Sequence, residues 1–269
     1  MMMFASDLDR TLIYSQKMID ASEEQPDEIR VAETKNGEVI TYITEKTIHL
    51  LKQVSERAMF VPVTTRTTEQ YSRIDVICKD IMPKYAVTGN GGNILMQGKA
   101  DMAWHELIKG KIENECLSIG DALNEFEKIK SDQWVKMSRV ADELFFYCVV
   151  HTAQVPKDEV CGYSEYLEEN NWRIALHGRK LYFIPNCVNK RDAVAHLAEQ
   201  EGLTTKIISA GDSVLDLDMA EISNLFISPC HGEICQSHRE EDDGVTYTKN
   251  YGITASDELL ENIISVLDG

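Results

Sequence analysis

Long apolar segments and an even set of cysteines are both missing from this chain of 269 residues. No run approaches the roughly 20 residues that a membrane-spanning helix needs. The apolar stretch 1–5 is too short for a signal peptide, and no basic region precedes it. The seven cysteines are irregularly spaced, so reduced thiols are expected rather than a disulfide framework. These absences predict a soluble, cytoplasmic protein with no membrane partner.

Positive charge is scarce as well. Lys and Arg total 27 against 45 Asp and Glu, which gives a formal net charge of −18. A surface of this charge repels the phosphate backbone of nucleic acids, so a nucleic-acid-binding protein is excluded. A small phosphorylated ligand would be repelled at long range too, and a site for one would need cations of its own.

Strand and helix signals alternate in the first and last parts of the chain. Short apolar runs, typical of buried parallel strands, occur at 1–5, 59–63, 85–88, 206–210 and 225–227. Helical spacing is present at 45–57, 67–81, 191–201 and 256–267. Repeated β-α units predict an α/β fold with a parallel sheet and right-handed crossovers. Within a polar excursion over residues 15–44, the turn residues 35–37 predict a β-hairpin.

The pattern changes between about residue 98 and residue 184. A long helix over 111–130 is followed by strands 135–140 and 144–151, helix 156–170, and strands 172–177 and 181–185. Helix, hairpin, helix, hairpin predicts an α+β layer. We therefore expect an inserted domain over 98–184 and a core formed by 1–97 and 185–269, although no Gly/Ser-rich linker marks the boundaries.

Two carboxylates stand at the end of the first predicted strand, where open α/β sheets bind their ligands. Asp7 follows the apolar run directly and Asp9 lies two residues on. A carboxylate can attack phosphorus and form an aspartyl-phosphate, which splits one difficult hydrolysis into two easier steps. We expect Asp7 to be this nucleophile and Asp9 to protonate the leaving oxygen and then activate water.

Two carboxylates beside a phosphate dianion need a cation. Mg²⁺ prefers oxygen ligands and would be held by Asp7, the backbone carbonyl of Asp9 and Asp212, with Asp216 supporting the site. Lys190 would offset phosphoryl charge, and the hydroxyl of Thr64 would bond a phosphoryl oxygen.

Further residues are candidates for phosphate or substrate contacts. Thr65, Arg66 and Asn90 lie beside the ends of the second and third predicted strands, and Arg66 could instead pair with a carboxylate. His177, Arg179 and Lys180 form a basic turn in the inserted domain, with a solvated turn as the alternative interpretation. The cluster of Cys230, His231, Cys235 and His238 has no common zinc spacing.

The four segments that carry these residues resemble the four motifs of the haloacid dehalogenase superfamily. Segment 7–11, DLDRT, resembles the first motif, Thr64 the second, Lys190 the third and segment 211–216, GDSVLD, the fourth. The inserted domain resembles the cap of the Cof-like and sucrose-phosphatase-like branch. This resemblance implies a mobile cap over a Rossmann-like core.

The chain also departs from the superfamily pattern. The family commonly has Gly where this chain has Arg10 and Thr65. The excursion over 15–44 together with 64–66, TTR, resembles phosphatase-like proteins encoded in tellurite-resistance and stress operons.

The residues and the resemblance together predict a magnesium-dependent phosphatase for a small phosphorylated metabolite, with a sugar phosphate as the first choice. A sugar phosphomutase of the same superfamily and a non-catalytic regulatory or binding member remain as alternatives. The oligomeric state is left open.

Overall fold

The computed structural model describes residues 1–22, 26, 28–238 and 244–269, which divide into two compact units. The first unit comprises Met1–Ala100 together with Lys190–Gly269, and the second comprises Asp101–Asn189. Within the described ranges, no helix is both long enough and apolar enough to cross a membrane.

The helices and strands follow one another in three stretches of chain. The first stretch contains β1 (Met2–Ser6), α1 (Gln16–Asp20), β2 (Ile29–Lys35), β3 (Glu38–Thr44), α2 (Glu45–Arg57), β4 (Ala58–Pro62), α3 (Thr68–Ser72), β5 (Tyr85–Thr88), β6 (Asn93–Met96) and β7 (Lys99–Ala100). The second unit contains α4 (Met102–Glu115), α5 (Ile119–Phe126), β8 (Val135–Ala141), β9 (Phe145–Val150), α6 (Lys157–Glu169), β10 (Trp172–His177) and β11 (Lys180–Pro185). The last stretch contains α7 (Lys190–Gln200), β12 (Ile207–Ala210), α8 (Leu217–Ala220), β13 (Leu225–Ser228), α9 (Glu233–His238), β14 (Val245–Tyr247) and α10 (Ala255–Asp268).

The core of the first unit is a parallel sheet with the strand order β14-β13-β12-β1-β4. Phe4 of β1 is buried in a hydrophobic cluster with Leu51 and Val54 of α2 and Leu260 of α10. Such burial explains why β1 is a continuous apolar run rather than an alternating one. The predicted α/β class with a parallel core sheet is confirmed.

The predicted strand 85–88 is present as β5, and the chain after it turns back as a hairpin. β5 touches the core sheet through a parallel bridge between Val63 and Val87, but it then pairs antiparallel with β6, and β6 with β7. The reversal follows from left-handed backbone at Gly89, Asn90 and Gly91, with φ of 58°, 56° and 101°. The chain therefore leaves β5 through a hairpin.

Two helices that the sequence predicts as continuous are interrupted. The helix expected over 111–130 is split into α4 and α5, because Ser118 caps a new helix by accepting the N–H of Asp121 at 3.1 Å. The helix expected over 67–81 is α3 followed by a π-helical turn, Val76–Ile81. Periodicity alone indicated the helical segments but not these breaks.

Within the predicted excursion 15–44, of which residues 23–25 and 27 lie outside the described part, β2 and β3 form an antiparallel hairpin. Asn36 and Gly37 have φ of 53° and 81°, as a tight two-residue hairpin turn requires. The register of β2 shifts on both sides of Glu33, which marks a β-bulge.

The second unit is an antiparallel sheet with the order β10-β11-β9-β8. Its core is aromatic: the ring centroid of Phe183 lies 4.5 Å from that of Phe146 and 4.8 Å from that of Phe126. Helices α5 and α6 join this cluster through Phe126 and Leu167. The unit is an α+β layer, and its action as a cap stays a prediction.

Candidate active site

The carboxyl ends of three neighbouring strands form one edge of the core sheet. Ser6 of β1 pairs with Pro62 of β4 and with Ala210 of β12, so the residues that follow these strands emerge side by side. The N–H of Asp7 donates to the carbonyl of Ala210 at 2.9 Å, and the N–H of Val63 donates to Ser6 at 2.7 Å. Backbone bonds thus fix the segments that carry the first, second and fourth motifs against one another.

Lys190 is the first residue of α7 and lies at this edge of the core sheet. Among the described residues, it is the one lysine whose ammonium group is buried. Its side chain is 1% exposed, and Nζ donates to Oδ1 of Asp7 at 2.6 Å and to Oδ1 of Asp216 at 2.5 Å. Burial alone would lower the pKa of Lys190, but attraction to Asp216 and Asp7 raises it above its usual value. The lysine is therefore a fixed positive charge.

Asp7 lies in a strongly negative environment. Burial raises the pKa of its carboxyl, attraction to Lys190 lowers it, and the net result is about 8. Repulsion from three further carboxylates contributes to the rise, those of Asp216, Asp212 and Asp9 in decreasing order. An added cation would stabilise the ionised form of Asp7, because it would offset both the burial and the repulsion.

Asp7, Asp212 and Asp216 form a buried group in which one carboxylate oxygen from each lies within 4.8 Å of the others. This group is the one set of potential metal ligands found among the described residues. Hard oxygen donors suit Mg²⁺. The donor set therefore fits the expected ion.

Asp216 differs from the other two because both of its oxygens accept hydrogen bonds within the protein. Oδ1 accepts from Lys190, and Oδ2 accepts from the N–H and the hydroxyl of Ser213 at 2.9 and 2.8 Å. A Cβ atom on Gly211 would lie 2.2 Å from the Cβ of Asp216, so only glycine fits there. Asp216 is thus held tightly against the turn that presents Asp212.

Thr64 is buried, and the loop after β5 supports it. Its hydroxyl Oγ1 accepts the N–H of Arg66 at 3.1 Å, and its carbonyl accepts the N–H of Asn90 at 2.9 Å. Asn90 is itself buried, and Thr65 is half-buried between its neighbours. The structure therefore brings Thr64, Thr65 and Asn90 together beside the edge that carries Asp7.

Arg66 pairs with carboxylates in this structure. Its Nε and Nη2 donate to the two oxygens of Asp9 at 2.6 and 2.7 Å, and its Nη1 donates to Glu33 at 2.6 Å. Of the two interpretations left open by the sequence, the carboxylate pair is the one present here. A contact between Arg66 and a phosphate stays a prediction.

Arg10 stands in left-handed backbone, with φ of 65°, at a position where the superfamily commonly has glycine. Its Nε lies 3.2 Å from Oδ2 of Asp212, and its Nη2 donates to the carbonyl of His231 at 2.9 Å. The N–H of Gly252 donates to Nδ1 of His231 at 3.1 Å, so Nε2 carries the proton that is donated to the carbonyl of Arg10 at 2.8 Å. His231 therefore holds the backbone of Arg10 in place.

The buried imidazole of His231 is neutral at pH 7. Burial lowers its pKa to about 4, the hydrogen bond to the carbonyl of Arg10 opposes this shift, and the charge of Arg10 adds to it. Within the described ranges Cys230, His231 and Cys235 form no metal-binding group, and the side chain of His238 lies outside them.

The basic turn of the second unit joins β10 to β11. His177 pairs with Lys180 across the strands, and Gly178 has φ of 58°. Arg179 and Lys180 are exposed, and Nζ of Lys180 lies 5.6 Å from the ring centroid of Tyr147. A part for these residues in substrate binding stays a prediction.

The sequence pattern indicated no role for Glu33, placed His231 only in a cluster without a common zinc spacing, and marked Arg10 only as a departure from the family. The bulge at Glu33 breaks the alternation of β2, so periodicity could not place its side chain. His231 lies 221 residues from Arg10, and no local pattern indicates that contact. In the sequence, the unusual Arg10 in the first motif is the one sign of the contact with His231.

A match to a protein-family model shows that the chain is a phosphoric monoester hydrolase. The family model "Sucrose-6F-phosphate phosphohydrolase" matches residues 1–242. The chain belongs to this family. A search of curated protein sequences returned no significant match.

Several solved structures of low sequence identity share the fold of this chain. Sucrose-phosphatase from Synechocystis sp. PCC6803, solved with sucrose and phosphate, has a TM-score of 0.70 at 15% identity, covering 99% of this chain and 98% of that one. A sugar phosphatase of haloacid dehalogenase subclass IIB has a TM-score of 0.66 at 10% identity, with 99% of both chains covered. A Thermoplasma acidophilum protein has a TM-score of 0.62 at 14% identity, covering 100% and 99%.

Proposed function

We propose that this enzyme hydrolyses the phosphate monoester of a sugar, with Mg²⁺ and through a phosphorylated Asp7. The observation that carries the proposal is the buried Asp7 at the end of β1, held by Lys190 at 2.6 Å and grouped with Asp212. Membership of the sucrose-6F-phosphate phosphohydrolase family supports a sugar phosphate as the substrate class.

In the first half-reaction, an oxygen of Asp7 forms a bond to phosphorus while the bond between phosphorus and the sugar oxygen breaks. Oδ1 accepts a hydrogen bond from Lys190 at 2.6 Å, whereas Oδ2 accepts a long one of 3.5 Å from the hydroxyl of Thr11. Oδ2 is therefore the better attacking atom. Asp9 enters this step protonated, gives its proton to the departing sugar oxygen, which leaves as the alcohol, and becomes a carboxylate.

In the second half-reaction, Asp9 takes a proton from water as the water oxygen bonds to phosphorus and the bond to Asp7 breaks. Inorganic phosphate leaves, Asp7 is again a carboxylate and Asp9 is again protonated. Lys190 offsets phosphoryl charge through both steps, and the hydroxyl of Thr64 donates to a phosphoryl oxygen.

Asp7, Asp212 and the backbone carbonyl of Asp9 would hold Mg²⁺. The bound ion would neutralise charge on the carboxylates and the phosphoryl group and orient the latter. Asp216 would act on Lys190 and on water in the site, since its own oxygens already accept hydrogen bonds.

We also propose that the second unit is a cap that selects the substrate. Hydrolysis through an acyl-phosphate requires that bulk water be excluded and one water admitted. The narrower resemblance to proteins of tellurite-resistance and stress operons, and the cytoplasmic location, stay predictions.

A phosphate-release screen over sugar phosphates, with Mg²⁺ and with EDTA, tests the function. We expect magnesium-dependent release from one or a few sugar phosphates and none from Asp7→Asn. Calorimetric titration of Mg²⁺ should show weaker binding to Asp212→Asn than to the wild type, independently of turnover. Equal activity of Asp7→Asn would rule out the covalent route, and unchanged Mg²⁺ affinity of Asp212→Asn would place the ion elsewhere. Stimulation by a trace of sugar bisphosphate would indicate a mutase instead.

A further inference from the structure

The hairpin Ile29–Thr44 buries an acidic side chain that sequence analysis did not connect with the chemistry. Most side chains of β2 are exposed, but the bulge turns two successive residues, Ala32 and Glu33, inward. The side chain of Glu33 is 1% exposed. A bridge between Glu33 and Ile74 fixes this part of the hairpin against the chain that follows α3.

Two guanidinium groups meet the carboxylate of Glu33. Nη1 of Arg66 donates to Oε2 at 2.6 Å, and Nε of Arg73 donates to Oε1 at 3.0 Å. A buried carboxylate persists only when its charge is paired in this way. Glu33 is therefore locked between the two arginines.

Arg66 uses the other side of its guanidinium to hold Asp9. Nε and Nη2 donate to the two carboxylate oxygens in a bidentate pair at 2.6 and 2.7 Å. Burial lowers the pKa of Arg66, but attraction to Asp9 and Glu33 more than offsets the shift, so the group stays charged. Arg66 links the two carboxylates in one rigid, charge-assisted arrangement.

Asp9 needs such a support because its side chain is 39% exposed, in contrast to the buried Asp7. A short exposed carboxylate has several rotamers, whereas proton transfer requires one position within hydrogen-bond reach of the leaving oxygen. The bidentate pair with Arg66 reduces the number of rotamers open to Asp9 only if Arg66 itself is held in place. The hydrogen bond from Arg66 to Glu33 holds it.

We propose that the hairpin belongs to the catalytic apparatus: Glu33 is a positioning residue that orients Arg66 and, through it, the acid–base group Asp9. This inference rests on the proposed role of Asp9. It gives the excursion over 15–44 a function in the proton-transfer step. Neither Glu33 nor Arg66 has to touch the substrate for this purpose.

Glu33→Gln tests the inference with a change of one atom. The amide keeps one acceptor oxygen for two guanidinium groups, presents a donor to the other one and loses the negative charge, so Arg66 is no longer locked in place. Since general acid–base catalysis contributes about 10²- to 10⁴-fold, loss of positioning should lower kcat/KM for a sugar phosphate, which reports the step that releases the leaving group, by about 10-fold. With p-nitrophenyl phosphate, whose leaving group needs no proton, kcat/KM should change by less than about 2-fold.

Arg66→Lys is the second variant, because it keeps the charge but lacks the planar fork that bonds both oxygens of Asp9 while it reaches Glu33. It should show the same dependence on the leaving group. Glu69→Gln is the matched control: Glu69 pairs with Arg73 at the surface, where its side chain is 85% exposed, and this variant should behave as wild type with both substrates. Thermal unfolding of each variant separates misfolding from loss of positioning.

Asp9→Asn distinguishes failure of the inference from failure of the proposed function. If Asp9→Asn lowers kcat/KM for both substrates equally, the general-acid role of Asp9 is wrong. The other case is that Asp9→Asn lowers kcat/KM for the sugar phosphate alone. If folded Glu33→Gln then lowers kcat/KM for both substrates equally, or for neither, the positioning role of Glu33 is wrong. In an Asp9→Asn background, Glu33→Gln should not lower kcat/KM for the sugar phosphate any further relative to p-nitrophenyl phosphate. A further decrease equal to that in the wild-type background would overturn the inference.

Discussion

Lys190 and Asp216 form a buried ion pair in which Nζ lies 2.5 Å from Oδ1. The same ammonium lies 2.6 Å from Oδ1 of Asp7. Lys190→Met would leave both carboxylates without their common cation, and breaking a buried pair in this way costs about 3–5 kcal/mol. We expect such a loss in urea unfolding, together with loss of sugar phosphate hydrolysis.

Lys46→Met is a suitable control for this variant. Lys46 pairs with Glu261 at the surface, with side chains 56% and 50% exposed, and exposed pairs contribute about 0–1 kcal/mol. Its unfolding midpoint and activity should stay near those of the wild type. A Lys190→Met protein as stable and as active as the control would show that the buried lysine has neither role.

Gly211→Ala should damage the site through backbone packing. The added Cβ would lie 2.2 Å from the Cβ of Asp216, closer than real contacts allow, so the turn or Asp216 must move. We expect a loss of about 2 kcal/mol or more, in the range of overpacked cores, with weaker Mg²⁺ binding in calorimetry. The comparison is Gly110→Ala in α4, where no atom lies within 4 Å and helix propensity should stabilise the chain by up to about 1 kcal/mol. Equal stability of the two variants would contradict the close approach.

The placement of residues at the ends of the core strands was predictable from the sequence, because each motif directly follows the apolar run of a strand. Asp7 and Thr64 each follow a short apolar run, and parallel pairing places the ends of such runs at one edge of the sheet. The helix signal starting near Lys190 was equally local. These placements need only periodicity and chain order.

Contacts that depend on irregular backbone were not predictable in this way. The bulge that buries Glu33 and the left-handed residue Asn90, which turns β5 into a hairpin, break the periods on which sequence reasoning depends. The contact of Arg10 with His231 joins residues at opposite ends of the chain. Only tertiary structure determines such pairs.

His231 should make the protein sensitive to mild acid. Its pKa is lowered to about 4 from 6.5, so between these values the unfolded chain binds more protons than the folded one. Stability from this group is complete above pH 6.5 and falls as the pH decreases toward 4, by at most about 1.4 kcal/mol per pH unit.

His231→Gln removes this titration. Urea unfolding of the wild type and the variant should show a stability difference that narrows between pH 7 and pH 4.5, since only the wild type loses the contribution of a neutral imidazole. His49 is exposed on α2, and His49→Gln should leave the pH dependence of the wild type unchanged. A difference between wild type and His231→Gln that is constant with pH would show that protonation of His231 is not linked to unfolding.

The basic turn of the second unit should determine substrate choice if this unit is a cap. Arg179 and Lys180 are exposed beside Gly178, and His177 pairs with Lys180 across the hairpin. A hydrogen bond from a charged group contributes about 1.5–3 kcal/mol, so loss of one should lower kcat/KM for the preferred sugar phosphate by about 10-fold or more. Hydrolysis of p-nitrophenyl phosphate, which has no sugar to contact, should persist.

The measurement is the ratio of kcat/KM for the two substrates in His177→Ala, Arg179→Ala and Lys180→Ala. Lys157→Ala removes an exposed cation from the start of α6 in the same unit, so it controls for the general loss of positive charge in a chain with a net charge of −18. The control should keep the wild-type ratio, because long-range attraction acts on both phosphates alike. A selective decrease in any turn variant would assign substrate recognition to this hairpin, whereas wild-type ratios in all three would leave it a solvated turn.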